Sequence, residues 1–158
     1  MKTAQLATLY FLCLLGLMPV AASAQPFVIS TDGSEVTDQK TGLIWRRCAE
    51  GMQVSGGTCT GTAQTYTHEA ALQRAAAVAS PWRLPNIKEL SSIVDKSRSN
   101  PAIDATAFPA TPASFFWSSS PYVGGPAVAW GVGFVNGYVG NSYGRNGSFY
   151  VRLVRAGQ

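Results

Sequence analysis

Helical patterning is confined to one stretch of the chain, from Thr67 to Asp95, and strand-like patterning lies on both sides of it. That order of strands, two short helices and strands predicts a single α+β domain built on antiparallel sheet. Thr67 is a suitable N-cap for a helix over residues 68–79, where the alanines and Leu72 give high helix propensity. So many alanines imply close packing against something flat. The next residues, Ser80-Pro-Trp-Arg-Leu-Pro85, break the helix. Trp82 and Leu84 read as core anchors in an extended lead-in, and Pro85 stops a helix from running back. Asn86 with Glu89 three residues on forms a variant of the capping box, and Ile87, Leu90, Ile93 and Val94 then repeat at helical spacing. Arg83, set between two anchors, is expected to tie down a helix end or a carboxylate rather than to meet a ligand.

Upstream, Phe27 to Thr31 reads as a strand, Asp32-Gly33 as a tight turn, and Glu35-Val36-Thr37 as its return. A second turn over Asp38 to Gly42 leads into a strand over Leu43 to Arg47, which carries Trp45. Asp32, Glu35 and Asp38 do not have the spacing of an EF-hand, and each sits where a turn wants an acid. Downstream, Pro101, Pro109 and Pro112 punctuate a loop. Phe115-Phe116-Trp117 then begins a strand-rich tail. Trp130, Val132 and Phe134 alternate onto one face, Asn136-Gly137 is a hairpin turn, and Ser148 to Arg155 reads as one closing strand. The tryptophans Trp45, Trp117 and Trp130 are expected to be structural.

The first residues have a different character. Lys2 gives a positive start, Leu6 to Val20 are almost wholly apolar, and Ala22-Ser23-Ala24 fits a signal-peptidase site. Residues 1–24 are therefore expected to be a signal peptide, with the domain over residues 25–158 in the periplasm or outside the cell. The apolar run falls short of the about 20 residues that cross a bilayer, so no membrane span is expected after cleavage. Cys13 leaves with the leader. Cys48 and Cys59 remain, and in an oxidising compartment they are expected to form a disulfide that braces a Gly-Gly-Thr loop. The 12 Lys and Arg against 8 Asp and Glu give a mildly basic +4. Those basic residues are scattered, and no run of the nucleic-acid-binding kind occurs.

Five ordered motifs carry a family resemblance: Asp38-Gln-Lys-Thr-Gly-Leu-Ile-Trp45, Trp82-Arg-Leu-Pro-Asn-Ile-Lys-Glu-Leu90, Asn100-Pro-Ala-Ile-Asp104, Phe116-Trp-Ser-Ser-Ser-Pro121 and Tyr150-Val-Arg-Leu-Val-Arg155. With them the chain resembles the exported bacterial domains named after the C-terminal domain of the collagen-like adhesin Lcl, long of unknown function. The Arg-Leu-Pro and Arg-Leu-Val-Arg segments are also similar to those of formylglycine-generating enzymes and diversity-generating-retroelement target proteins. That similarity implies a C-type-lectin-like fold. His68 departs from the aromatic residue of the relatives and reads as a helix-start substitution.

No enzymatic signature accompanies these motifs. Formylglycine-type oxidation needs a reactive cysteine pair in the C-terminal part of the fold, and no cysteine follows Cys59. The one histidine, His68, has no signature partner, and Gly131 and Gly133 lead into a hairpin, not a dinucleotide-binding helix. The chain is expected to be non-catalytic and to use no cofactor or metal. A calcium-dependent sugar site is not expected, because no side-chain carboxylate lies between Ala105 and Gln158. Recognition is the expected role, with a polysaccharide or a cell-surface protein as partner and an envelope assembly role as the alternative. The Tyr-, Asn- and Gly-rich segment is the expected contact surface, through Tyr138, Asn141, Tyr143, Arg145 and Asn146.

Overall fold

A computed structural model describes residues 26–141 and 143–157. The signal peptide expected over residues 1–24 and the start at Gln25 lie outside the described residues. Among the described residues, no helix is long and apolar enough to cross a membrane.

Three strands open the domain as an antiparallel meander: β1 (Phe27–Ile29), β2 (Glu35–Asp38) and β3 (Leu43–Arg46). Their turns use the acids that the sequence places there. The Asp32 carboxylate accepts from Ser30 Oγ at 2.6 Å and from Ser34 Oγ at 2.6 Å, and Asp38 accepts from Lys40 N at 2.9 Å and Thr41 Oγ1 at 2.6 Å. Glu35 does not serve a turn; it pairs with Arg155 at 2.7 Å.

The segment between the two cysteines is more ordered than a braced loop. β4 (Met52–Ser55) and β5 (Thr58–Gly61) form a separate two-stranded hairpin, with Gly56 and Gly57 supplying the positive φ of its tight turn (58° and 76°). An isolated hairpin is marginal in water. The Cys48–Cys59 disulfide ties this one to the end of β3 across a separation of 11 residues. Its removal is expected to cost about 3 kcal/mol by chain-entropy arithmetic. Denaturant midpoints with and without reductant, read beside intact-mass analysis under alkylation, check this. Two freely alkylated thiols in native protein would contradict the bond itself.

After β6 (Thr65–Tyr66) comes α1 (His68–Ala77), with Thr67 Oγ1 accepting from Ala70 N as N-cap. The helix ends two residues before the expected Ala79 because Val78 is already extended. Ala71 and Ala75 are buried, so the small residues do allow α1 to lie close on the sheet beneath. Next, α2 (Ile87–Ser92) carries the full capping box: Asn86 Oδ1 accepts from Glu89 N at 2.9 Å and Glu89 Oε2 from Asn86 N at 2.8 Å.

The second sheet follows in β7 (Phe115–Pro121), β8 (Ala129–Gly133) and β9 (Tyr138–Gly140), joined by antiparallel ladders. Gly137 closes the β8–β9 turn at φ 74°, where a Cβ would also collide with Val94. The closing strand of the sequence reading is two strands. β10 (Phe149–Tyr150) joins this sheet between β6 and β7, and β11 (Val154–Ala156) joins the first sheet beside β3. The break has a physical cause. Val151, Arg152 and Leu153 are all fully buried, so the chain there crosses from one sheet to the other and does not alternate on either. The β10–β7 pair is parallel, the one exception to the expected antiparallel pairing among the described strands.

Alternation along β7 divides the core. Phe116 faces one cluster with Trp45, Leu90, Ile93, Phe108, Val132 and Phe134, while Phe115 and Trp117 face another with Ala71, Ala75, Leu84 and Leu153 beneath α1. The middle of the second sheet is thus covered on both faces.

Candidate functional site

Of the five residues expected to form a contact surface, two line one hollow, two line another and one lines neither. Tyr138 on β9 and Tyr143 just after it are 52% and 44% exposed, and both line a hollow of about 330 Å³ with Ser114, Phe115, Asn136 and Phe149. The hollow exists because the Tyr143 ring packs at 4.6 Å from both Phe115 and Phe149, which holds it against the sheet with its outer side open. No charged side chain lines it. Asn136 Oδ1 accepts from Tyr138 N at 3.1 Å, so the turn that precedes β9 also orients the tyrosine.

Arg145 and Asn146 line a separate hollow of about 480 Å³ with Thr67, His68, Glu69 and Leu72. Arg145 clasps the loop: its Nε donates to Val128 O at 3.1 Å, its N to Ala127 O at 2.8 Å, and its carbonyl accepts from His68 N at 3.0 Å. Asn141 is half-buried and lines neither hollow. The sequence shows the polar and aromatic composition of this segment but not the distant residues that seat it, Ala127 and Val128 under Arg145 and Phe115 under Tyr143.

His68 is buried at the start of α1, edge-on to Trp117 at 5.2 Å, with Nε2 3.0 Å from Ser118 O. Burial, with a smaller push from the Arg145 charge, holds its pKa below the usual 6.5. The sign follows: the unfolded chain takes up the proton first, so this contribution is complete above pH 6.5 and is lost as pH falls from there through the folded value. The carboxylates with shifted pKa values, Asp32, Glu89 and Asp95, are all lowered and titrate further down. Thermal midpoints between pH 7.5 and about 5 are therefore expected to fall more steeply for the native chain than for His68→Gln. Parallel curves would contradict the buried neutral imidazole.

Trp82 is placed differently from its expected position. Leu84 is buried, but Trp82 is only half-buried, with its inner part on the α1 cluster and the guanidinium groups of Arg46 and Arg155 over its ring at 5.2 and 5.4 Å. It lies at the edge of the first sheet, where Arg83 pairs its backbone with Val154 (3.0 and 2.9 Å), and long arginine stems cover it in place of core residues. Arg83 itself grips Glu89 with two bonds of 2.7 Å, and so ties the lead-in to the capping box of α2. Pro85 is buried, its carbonyl accepting from Ser119 N at 2.7 Å. Trp45 and Trp117 are fully buried, whereas Trp130 is half-buried and meets Tyr122 edge-on at 5.7 Å.

Sequence reasoning missed the burial of Arg47, whose Nε donates to Ala107 O at 3.2 Å, and of two further charges. Glu50 is 4% exposed and accepts from Arg74 Nε at 2.8 Å, with Arg46 at 3.9 Å. Arg152 is fully buried and holds two backbone carbonyls. Nothing near either residue in the chain announces burial; the partners of Arg152 lie 41 to 106 positions away.

These features define a small α+β domain of two sheets and two helices with a disulfide-tied hairpin, whose open hollows are lined by aromatic and polar side chains. The chain belongs to the Lcl C-terminal domain family, whose sequence profile matches residues 34–155. No curated protein and no solved structure matches the chain.

Proposed function

We propose that this is an exported, non-catalytic recognition domain on a C-type-lectin-like fold, and that it binds glycans through the hollow between Tyr138 and Tyr143. The observation that carries the proposal is the pairing of two half-open tyrosine rings in one depression edged by Ser114 and Asn136. Rigid aromatic faces offer contact area at little entropic cost, and short polar side chains and exposed backbone can hydrogen-bond hydroxyl groups. The two-sheet, two-helix layout supports the fold assignment. The engagement of His68 with Ser118 O supports a role without catalysis, since its Nε2 is already committed to a carbonyl. Arg145 lines a separate hollow, where it would add attraction for a polysaccharide long enough to reach it that carries sulfate or uronic-acid groups.

A glycan array that includes sulfated and uronic-acid polysaccharides tests this, run beside size-exclusion chromatography with light scattering. Tyr138→Ala is expected to weaken array binding about tenfold while leaving the fold intact, the loss that an aromatic contact of about 1–1.5 kcal/mol implies. If Arg145 takes part, binding to anionic glycans will also fall as salt rises through the screening range. Stable self-association with no glycan signal would replace recognition by assembly.

A further inference from the structure

Trp82 is a ridge between two depressions, one mostly apolar and one of mixed lining. On one side, Leu72, Ala75, Ala76 and Leu84 join Trp82 and Arg83 around a hollow of about 330 Å³ that is mostly apolar, with Leu72 40% exposed at its rim. On the other side, Arg46, Glu35, Glu50, Gln53 and Val54 join Trp82 around a groove of about 310 Å³ of mixed polar and apolar lining, in which Glu35 and Glu50 are each bonded to another arginine. The charges around the ridge do not balance. Four arginines, Arg46, Arg74, Arg83 and Arg155, meet three glutamates. Arg74, Arg83 and Arg155 each take a carboxylate oxygen at 2.7 to 2.8 Å. Arg46 Nη1 stays 3.9 Å from Glu50 Oε1, beyond hydrogen-bond reach, while Arg74 holds the other oxygen, Oε2, at 2.8 Å. Its side chain is 39% exposed, and its guanidinium stacks over the indole at 5.2 Å.

We propose that this ridge docks an extended, acidic segment of a partner protein, with an apolar side chain in the Leu72 hollow and a carboxylate on Arg46. The two subsites flank one indole. In an extended chain the side chains of residues i and i+2 point to one face about 6–7 Å apart, which is the span needed to straddle a ring. The fork of a guanidinium pre-set by stacking suits a carboxylate, and the apolar hollow offers a sugar ring few hydrogen-bond partners. The recognised pattern is therefore apolar-x-acidic. This site shares no lining residue with the tyrosine hollow, and of its residues only Leu72 also lines the Arg145 hollow, so Arg46→Gln and the peptide relatives carry the test apart from the glycan reading.

The test uses the blocked hexapeptide Gly-Ser-Leu-Ser-Asp-Gly, its Asp-to-Asn and Leu-to-Ser relatives, and the reversed order, added to the exported protein. The readout is the indole N–H signal of Trp82 in a nitrogen–proton correlation spectrum, assigned with Trp82→Phe. The Leu/Asp peptide is expected to shift that signal. Affinity should fall about tenfold on the Asp-to-Asn change or in Arg46→Gln, as expected for losing one charge-assisted hydrogen bond. Leu72→Asp should abolish the shift, and both protein variants change exposed side chains, so their melting midpoints should stay near native. If a variant fails to fold, the peptide relatives still decide the question. No shift with any peptide, or binding indifferent to the Asp-to-Asn change, would overturn the proposal. A heparin-derived tetrasaccharide that moves the Trp82 signal when the peptides do not would overturn the peptide occupant. None of these outcomes touches the Tyr138 experiment.

Discussion

Replacing Arg152 by alanine is expected to destabilise the domain by about 4 kcal/mol, and replacing it by methionine by about 2 kcal/mol. Arg152 sits where the chain crosses between the two sheets, fully buried. Its Nη1 donates to Arg46 O at 2.9 Å and to Arg47 O, and its Nη2 donates to Thr111 Oγ1 at 2.7 Å. Thr111 donates onward to Phe108 O at 2.7 Å, and the guanidinium lies over the Phe108 ring at 4.9 Å. Among the described residues no carboxylate pairs with it. Burial pushes its pKa down to about 9, still above neutral pH, so the charge stays on and is shared among carbonyl, hydroxyl and ring.

Two effects compete in the substitutions. Removing the cation relieves a desolvation cost, but it also strands buried acceptors at about 1–3 kcal/mol each. Alanine adds a cavity to that loss, whereas methionine fills the channel of the side-chain stem. The stranded acceptors outweigh the relief, because three of them lose a donor together. Urea midpoints of the two variants measure this. A methionine variant as stable as the native chain would mean that the buried charge costs as much as its bonds return.

Trp117→Ala is expected to cost about 3–5 kcal/mol, the range for deleting a fully buried aromatic side chain. The ring is fully buried in the α1 cluster, edge-on to His68, Phe115 and Phe149 at 5.1 to 5.7 Å, and its Nε1–H donates to Tyr66 O at 2.8 Å. Truncation therefore opens a cavity and orphans the carbonyl that anchors β6. Trp82→Ala should cost far less, about 1–2 kcal/mol, because part of its surface already meets water and its outer face is covered by arginine side chains instead of core residues. The same denaturation experiment compares the two. Equal losses would mean that Trp82 is an anchor of the fold after all.

That contrast marks where local sequence stops being informative. Trp82 and Trp117 each stand within two positions of an apolar residue that becomes buried, Leu84 and Phe116. Only the position of each segment in its sheet distinguishes them: β7 is an interior strand, while the Trp82 segment pairs with β11 from outside at a single bridge. The same holds for the expected contact surface. Tyr138, Asn141, Tyr143, Arg145 and Asn146 are near one another in sequence, yet Tyr138 and Tyr143 line one hollow, Arg145 and Asn146 another, and Asn141 neither.

What the sequence by itself determined were features that rest on interactions a few residues long. The Thr67 and Asn86 caps, the Asp32 and Asp38 turns, the Gly137 turn and the two helices all depend on neighbours within about four positions, where residue type and spacing set the energy. The family and the α+β class follow from the order of such features, and the Cys48–Cys59 bond from a count of cysteines. The tertiary structure alone decided which segments are covered on both sides. It split the closing strand between two sheets, buried Arg152 and Glu50, and left Trp82 at a rim with an uncommitted arginine over it. The reason is that burial of a side chain is a property of the residues that pack over it, and here those come from up to 106 positions away, beyond any pattern a stretch of sequence can hold.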